Sequence, residues 1–182
     1  MFNLAALWQR VAGYAVNDDP LTAASNRLAL IIASSQPFYP LYVRWVTGEA
    51  SMSLGLTFLS TPFFLASPWI AKRFAGIGCL WFPAIGAINT FFCGFIFGEA
   101  SGVEWFLLPC IVIAVLSCRA TERGALFVYS VVLSGALAML HGRYGEPLFQ
   151  IQTAQAAFRS LNIYSALVFC VIALWTLWRA RS

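Results

Sequence analysis

The stretch IFGEASGVEWFLLPC, residues 96–110, sets two carboxylates, Glu99 and Glu104, between long apolar runs. Carboxylates in such a setting can carry a proton, hold a ligand or start a helix. Ser101 and Glu104 read S-x-x-E ahead of an apolar run, which predicts a capping box. Ser101 would accept from the Glu104 backbone N–H while the Glu104 side chain reaches back to the Ser101 N–H. The positive end of the helix dipole also favours a carboxylate there. On this reading Glu104 starts a helix and Glu99 is the looser turn residue, the first to test for function.

Few other residues offer chemistry. His141 is the single histidine. With an unperturbed pKa near 6.5 it can respond to pH. Arg143 follows it, and Arg44 ends an earlier apolar run beside Trp45, placed to snorkel or to pair with a nearby acid. Asn89 sits midway along an apolar run and is expected to hydrogen-bond a neighbouring helix. Arg44, Glu99, Glu104, His141 and Arg143 form the candidate rim for a ligand or partner. The five cysteines lie inside apolar runs without a CxxC pair and read as small hydrophobes. There is no G-x-S-x-G, Walker A, H-E-x-x-H, or G-x-G-x-x-G opening a helix. No catalytic, cofactor-binding or metal residues are therefore expected; a rim enzyme would need Glu99, Glu104, His141 and Arg143 to converge.

These residues need elements to hold them, and composition names the class. Hydrophobic residues make up 60% of the 182, charged residues only 10%, and mean hydropathy is +0.78. Soluble domains carry roughly 25% charged residues, so this surface must be solvated by lipid. The net charge of +4 is dispersed without a basic cluster, which excludes nucleic-acid binding and points to membrane topology.

A helix needs about 20 apolar residues to cross a bilayer. Six runs approach that length, at about 28–46, 52–71, 75–97, 103–118, 125–140 and 161–178. They are continuous rather than alternating, which excludes a β-barrel. The predicted fold is an all-α six-helix membrane bundle in a single domain over 1–182: a segment 1–19, a bundle 20–178 and a short tail 179–182. Leu4, Leu7, Trp8, Val11 and Ala15 recur at helical spacing without a basic signal-peptide start, which suggests an interfacial amphipathic helix. Asp19-Pro20 reads as N-cap and N1, with Ser51 and Thr121 as similar caps. Pro37 and Pro40 should break the first run and Pro62 and Pro68 the second, while Pro83 and Pro109 fall within the third and fourth.

Counting Lys and Arg orients the bundle. With the N-terminus inside, inner segments hold Arg10, Arg27, Lys72, Arg73, Arg119, Arg123, Arg179 and Arg181, and outer segments hold Arg44, Arg143 and Arg159. That bias places both termini in the cytoplasm of a bacterial inner membrane. Trp45, Trp69, Trp105, Trp175 and Trp178 fall near run ends, as an aromatic belt should. Gly86, Thr90 and Gly94, and Ser130, Ser134 and Ala138, form small-residue stripes for close helix packing, within the chain or between chains. The longest outer connection, 141–160, could meet an external ligand or simply join two helices.

Three stretches carry a resemblance: VAGYAVNDDPLTAASNRLALII, GEASGVEWFLLPCIVIAVLSCRATERGAL and FRSLNIYSALVFCVIALWTLWRARS. An acidic linker before a helix start, a small-residue loop leading through an aromatic, "LL" and Pro to a basic turn, and Leu-Asn before an apolar run with a basic exit are similar to the six-helix membrane module of bacterial membrane-bound class III adenylate/guanylate cyclases. The resemblance implies a sensory or dimerising module. The sequence stops at Ser182 without cyclase domain, metal-binding aspartates or linker coiled coil, so it brings no cyclase activity. It implies a stand-alone relative or a module cut from a larger protein.

The expected function is a non-enzymatic, sensor-like membrane module, reading a signal at the outer rim and passing it to the cytoplasmic end of the sixth helix. Its expected partners are the lipid bilayer and copies of itself or a membrane complex. An accessory subunit of a larger inner-membrane complex is the alternative. A small transporter or rim enzyme fits less well, since transport needs more polar groups at depth.

Overall fold

The computed structural model describes residue 9 and residues 12–48, 52–149, 151 and 154–182. Leu4, Leu7, Trp8 and Val11 of the expected interfacial helix, together with Arg10, Glu49 and the cap residue Ser51, lie outside the described residues. Among the described residues every regular element is helical.

Residues 12–15 make a helical turn tied to the bundle. The Tyr14 hydroxyl donates to the Leu65 carbonyl, and the buried Asn26 amide donates to the Ala15 carbonyl. Helix α1, Pro20–Ser35, opens as expected, with Asp19 as N-cap accepting from the Thr22 backbone N–H and hydroxyl. Burial opposes ionisation of Asp19. The Thr22 bonds and the Arg119 guanidinium outweigh it and hold its carboxyl below the usual range.

Pro37 and Pro40 act as expected. The chain leaves α1 through a 3₁₀ turn, Gln36–Phe38, into α2, Tyr39–Thr47. The second run is broken too, into a 3₁₀ stretch Met52–Ser60, α3 at Thr61–Leu65 and α4 at Ser67–Arg73. The two broken runs hold each other: the buried Gln36 amide donates to the Ser60 hydroxyl at 2.6 Å, and the Thr61 hydroxyl donates to the Gln36 carbonyl oxygen.

Helix α5, Ala75–Phe97, continues through Pro83, whose carbonyl accepts from the Tyr129 hydroxyl at 3.2 Å. Pro109 falls in the first turn of α6, Leu107–Ser117, where a missing N–H costs no intrahelical bond. Helices α7, Arg123–Leu140, and α8, Gln155–Arg181, complete the chain. Thr121 is not the cap expected before α7. It lies within a 3₁₀ turn, Ala120–Glu122, and Glu122 reaches back to the Arg119 backbone N–H at 2.7 Å. The longer acidic side chain can close that loop; the threonine hydroxyl is left exposed.

Among the described residues, four stretches are long and apolar enough to cross a membrane: Leu54–Arg73, Ile77–Phe97, Ala120–Leu140 and Gln155–Arg181. Val103–Ser117 is apolar but shorter. At about 1.5 Å per residue, α8 is about 40 Å long. It packs along α6, α1 and α2, while α5 packs on α4 and α6. Leu28, Phe64, Phe82, Ile113 and Leu177 fill one end of the core, and Val43, Leu54, Ile96, Phe97 and Phe158 the other. Helix α7 is peripheral: only 6% of its apolar window is buried, against 44% for Ile77–Phe97.

Candidate functional site

Two short 3₁₀ turns, Glu99–Ser101 and Val103–Phe106, join α5 to α6. Gly102 separates them at φ 72°, a left-handed conformation that suits glycine, and the Arg159 side chain lies 3.0 Å from where its Cβ would be. This path overturns the expected capping box. Ser101 is fully buried, its hydroxyl donates back to the Gly98 carbonyl at 2.5 Å, and it accepts only a long bond, 3.4 Å, from Val103 N–H. The Glu104 carboxylate is therefore released from the helix start and turned outward.

It meets His141, at the end of α7. Glu104 Oε2 lies 3.0 Å from His141 Nδ1, and Glu99 Oε1 lies 3.2 Å from Nε2. The two glutamates thus converge on one imidazole. Only the imidazolium has a donor on each nitrogen, so its protonated form alone satisfies both carboxylates. The hydrogen bond to Glu104, then the charges of Glu104 and Glu99, push the His141 pKa up. The remaining Glu104 oxygen, Oε1, accepts from the Tyr144 hydroxyl at 2.7 Å. Burial, then that bond and the two carboxylate charges, raise the Tyr144 pKa and keep it a neutral donor.

A cavity of about 650 Å³ opens beside this cluster, lined among others by Glu99, Glu104, Trp105, His141 and Arg159. Arg159 forms no ion pair among the described residues. The cavity thus joins an anionic pair bridged by histidine to an unpaired cation, an arrangement suited to a small ligand bearing both signs. The ligand atoms of Glu99, Glu104 and His141 lie within 4.8 Å of one another. A cation held among them would take the place of the proton on one imidazole nitrogen, and the other nitrogen could still donate to a carboxylate.

The other expected residues take different places. Arg44 and Arg143 are exposed, line no part of the cavity and join no ion pair among the described residues. The Asn89 carbonyl oxygen is buried without the hydrogen-bond partner expected for it among the described residues. In the first small-residue stripe, Gly86 and Gly94 admit close neighbours: an added Cβ would lie 2.8 Å from Cys110 Sγ and 2.5 Å from the Tyr144 ring respectively. Thr90 bonds its own helix, at the Gly86 carbonyl. In the second, Ser130, Ser134 and Ala138 are all exposed, and Ser134 and Ala138 line the cavity.

Sequence reading assigns no place in the site to Tyr144, Arg159 or Asn162, although Arg159 counts among the outer charges and Asn162 stands in the Leu-Asn before the last apolar run. Asn162 is fully buried; its amide donates to the Ser101 carbonyl at 2.9 Å and its carbonyl oxygen accepts from the Tyr39 hydroxyl at 2.9 Å. It ties the turn beneath the rim to α2 and α8. The available signal was an Asn followed by the apolar run of α8, where an unpaired amide would be costly.

The histidine sets a pH dependence. A histidine whose folded pKa is raised contributes stability fully below its unfolded value near 6.5, and that contribution is lost as pH rises through the folded value. Wild-type protein in detergent should therefore lose melting temperature from about pH 6.5 upward relative to His141→Gln. Parallel melting curves for the two proteins between pH 5.5 and 8.5 would show that the imidazole is not coupled to the carboxylates.

No family model, characterised protein or solved structure matches this chain.

Proposed function

We propose that the chain is a non-enzymatic, sensor-type module of the bacterial inner membrane. It would be a six-helix bundle with both termini cytoplasmic, single or oligomeric. A small polar ligand is read at the outer rim by Glu99, Glu104, His141 and Arg159, and the response leaves through the cytoplasmic end of α8. The broken runs α1–α2 and 52–73 count as the first two crossings, and α6 with its preceding turns as the fourth.

The observation that carries this reading is that one helix touches both ends. Near its start α8 presents Arg159 to the rim cavity and Asn162 to the turn beneath it. At its finish Arg181 donates to the Val115 and Cys118 carbonyls, at 3.1 and 2.8 Å. A shift of the rim turn has a continuous packed path to the last residues of the chain. The resemblance to cyclase membrane modules, in which the last helix leads to the output, agrees with that direction.

The reading predicts that Glu104→Gln, with the protein in lipid nanodiscs, changes amide hydrogen exchange over the last turns of α8, while Glu146→Gln on the exposed loop does not. Unchanged exchange at that end would break the link between rim and output. The topology is tested separately: a reporter active only in the periplasm should be silent when fused after Ser182 and active when inserted at Gly142.

One feature favours a second reading, that of an accessory subunit in a larger membrane complex. Helix α7 leaves Phe127, Val128, Val132 and Met139 exposed along most of its length. Stoichiometric co-purification with another membrane protein, lost on polar substitution of that face, would select it.

A further inference from the structure

The end of the bundle opposite the rim holds a second cluster, independent of the rim reading. Cys79, in the second turn of α5, and Cys118, just after α6, bring their Sγ atoms to 2.6 Å while both remain free thiols. That is well inside ordinary sulfur contact and about 0.6 Å from a covalent S–S separation of about 2.05 Å. Cys118 is itself buried and Cys79 half-buried; the other three cysteines are buried elsewhere in the bundle. Beside Cys118 a cavity of about 590 Å³ opens, lined by Asp19, Cys118, Arg119, Arg123 and Arg181 among others. Asp19 is taken by Arg119. Arg123 and Arg181 have no carboxylate partner among the described residues, so the cavity is electropositive. The Glu122 carboxylate lies within 4.8 Å of both sulfurs and can accept a thiol proton.

We propose that Cys79 and Cys118 are a reversible dithiol–disulfide pair that exchanges with an anionic low-molecular-weight disulfide held in this basic cavity. The Cys118 thiolate, beside the Cys79 thiol and the Arg181 guanidinium that donates to the Cys118 carbonyl at 2.8 Å, attacks one sulfur of the external disulfide. The external S–S bond breaks and one small thiol leaves, its sulfur taking the proton released by Cys118. The Cys79 thiolate then attacks Cys118 Sγ in the mixed disulfide. The Cys79–Cys118 bond forms, and the second small thiol leaves with the remaining proton. Two electrons pass from the protein thiols to the external disulfide, which becomes two thiols. The bond fastens the start of α5 to the end of α6, where the Val115 and Cys118 carbonyls hold Arg181, so oxidation fixes the end of α8. In a reducing compartment the dithiol is the resting form.

The test uses the full chain in nanodiscs, reduced and then treated with glutathione disulfide or with the neutral bis(2-hydroxyethyl) disulfide. Expected are an intact-mass loss of about 2 Da, set by the two hydrogens removed, and a cross-linked peptide joining Cys79 to Cys118. Dithiothreitol reverses it, and Cys79→Ser and Cys118→Ser each abolish it. Glutathione disulfide should react about tenfold faster than the neutral compound at low salt, a preference reduced in Arg123→Gln. Four results would overturn the proposal. One is the absence of the Cys79–Cys118 peptide. Another is a glutathione adduct that persists without ring closure. The third is equal rates with the two disulfides. The fourth is stoichiometric zinc bound through these thiols in the protein as isolated.

Discussion

Asn162→Leu should lower the stability of the bundle by about 2–3 kcal/mol, read from denaturant titration in mixed micelles. The side chain has no exposed surface and makes two bonds of 2.9 Å, to the Ser101 carbonyl and from the Tyr39 hydroxyl. Leucine matches the volume but offers neither, leaving a buried carbonyl and a buried hydroxyl unsatisfied at about 1–3 kcal/mol for each group. Water cannot easily replace them, because Ser101 is also fully buried. Tyr39→Phe removes one of the two bonds and should cost about 1 kcal/mol. In the double variant the two losses should fall short of additive, since they share a bond. Full additivity would show that Tyr39 and Asn162 are not coupled. Asn162→Leu should also mute the exchange response of the α8 terminus to Glu104→Gln, as Asn162 joins the rim turn to that helix.

Gly94→Ala should destabilise by about 2 kcal/mol, within the range for overpacking a filled interior, and should disturb the rim from a distance. Ala normally improves a helix by about 1 kcal/mol over Gly. Here the new methyl would lie 2.5 Å from the Tyr144 ring, which is itself buried and packs edge-on against Phe95. To make room the ring must move, and its hydroxyl leaves Glu104. The sign of the substitution should reverse in a Tyr144→Ala background, where the space is empty and only helix propensity remains. Destabilisation of equal size in both backgrounds would place its origin elsewhere. Tyr144→Phe separates the two effects, since it keeps the packing and removes only the hydrogen bond.

How far the site could be read in advance depends on the range of the interaction. Asp19-Pro20 was legible because an N-cap and an N1 proline act within one turn. The breaks at Pro37, Pro40, Pro62 and Pro68 were legible because proline removes a donor whatever the neighbours are. The S-x-x-E motif misled because its local bonds compete with distant ones. Gly102 bends the turn, Asn162 holds the Ser101 carbonyl, and His141 with Tyr144 takes the carboxylate. Asn89 shows the same limit, since a polar residue in an apolar run predicts a need for a partner without supplying one.

What the sequence determined by itself is the class: helices apolar and long enough for a bilayer, one starting at Asp19-Pro20 and two runs broken at Pro37, Pro40, Pro62 and Pro68. Those features follow from lipid solvation and single-turn backbone chemistry, which neighbouring residues settle among themselves. Tertiary structure alone decided that Glu99, Glu104 and His141 form one ionic cluster, that Tyr144 fills the space left by Gly94, and that Cys79 meets Cys118. Each of these contacts joins residues far apart in the chain, on helices and on the connections between them. Their distances depend on how the helices rotate and cross, and helical periodicity fixes only the face a residue occupies, not the side chain that faces it.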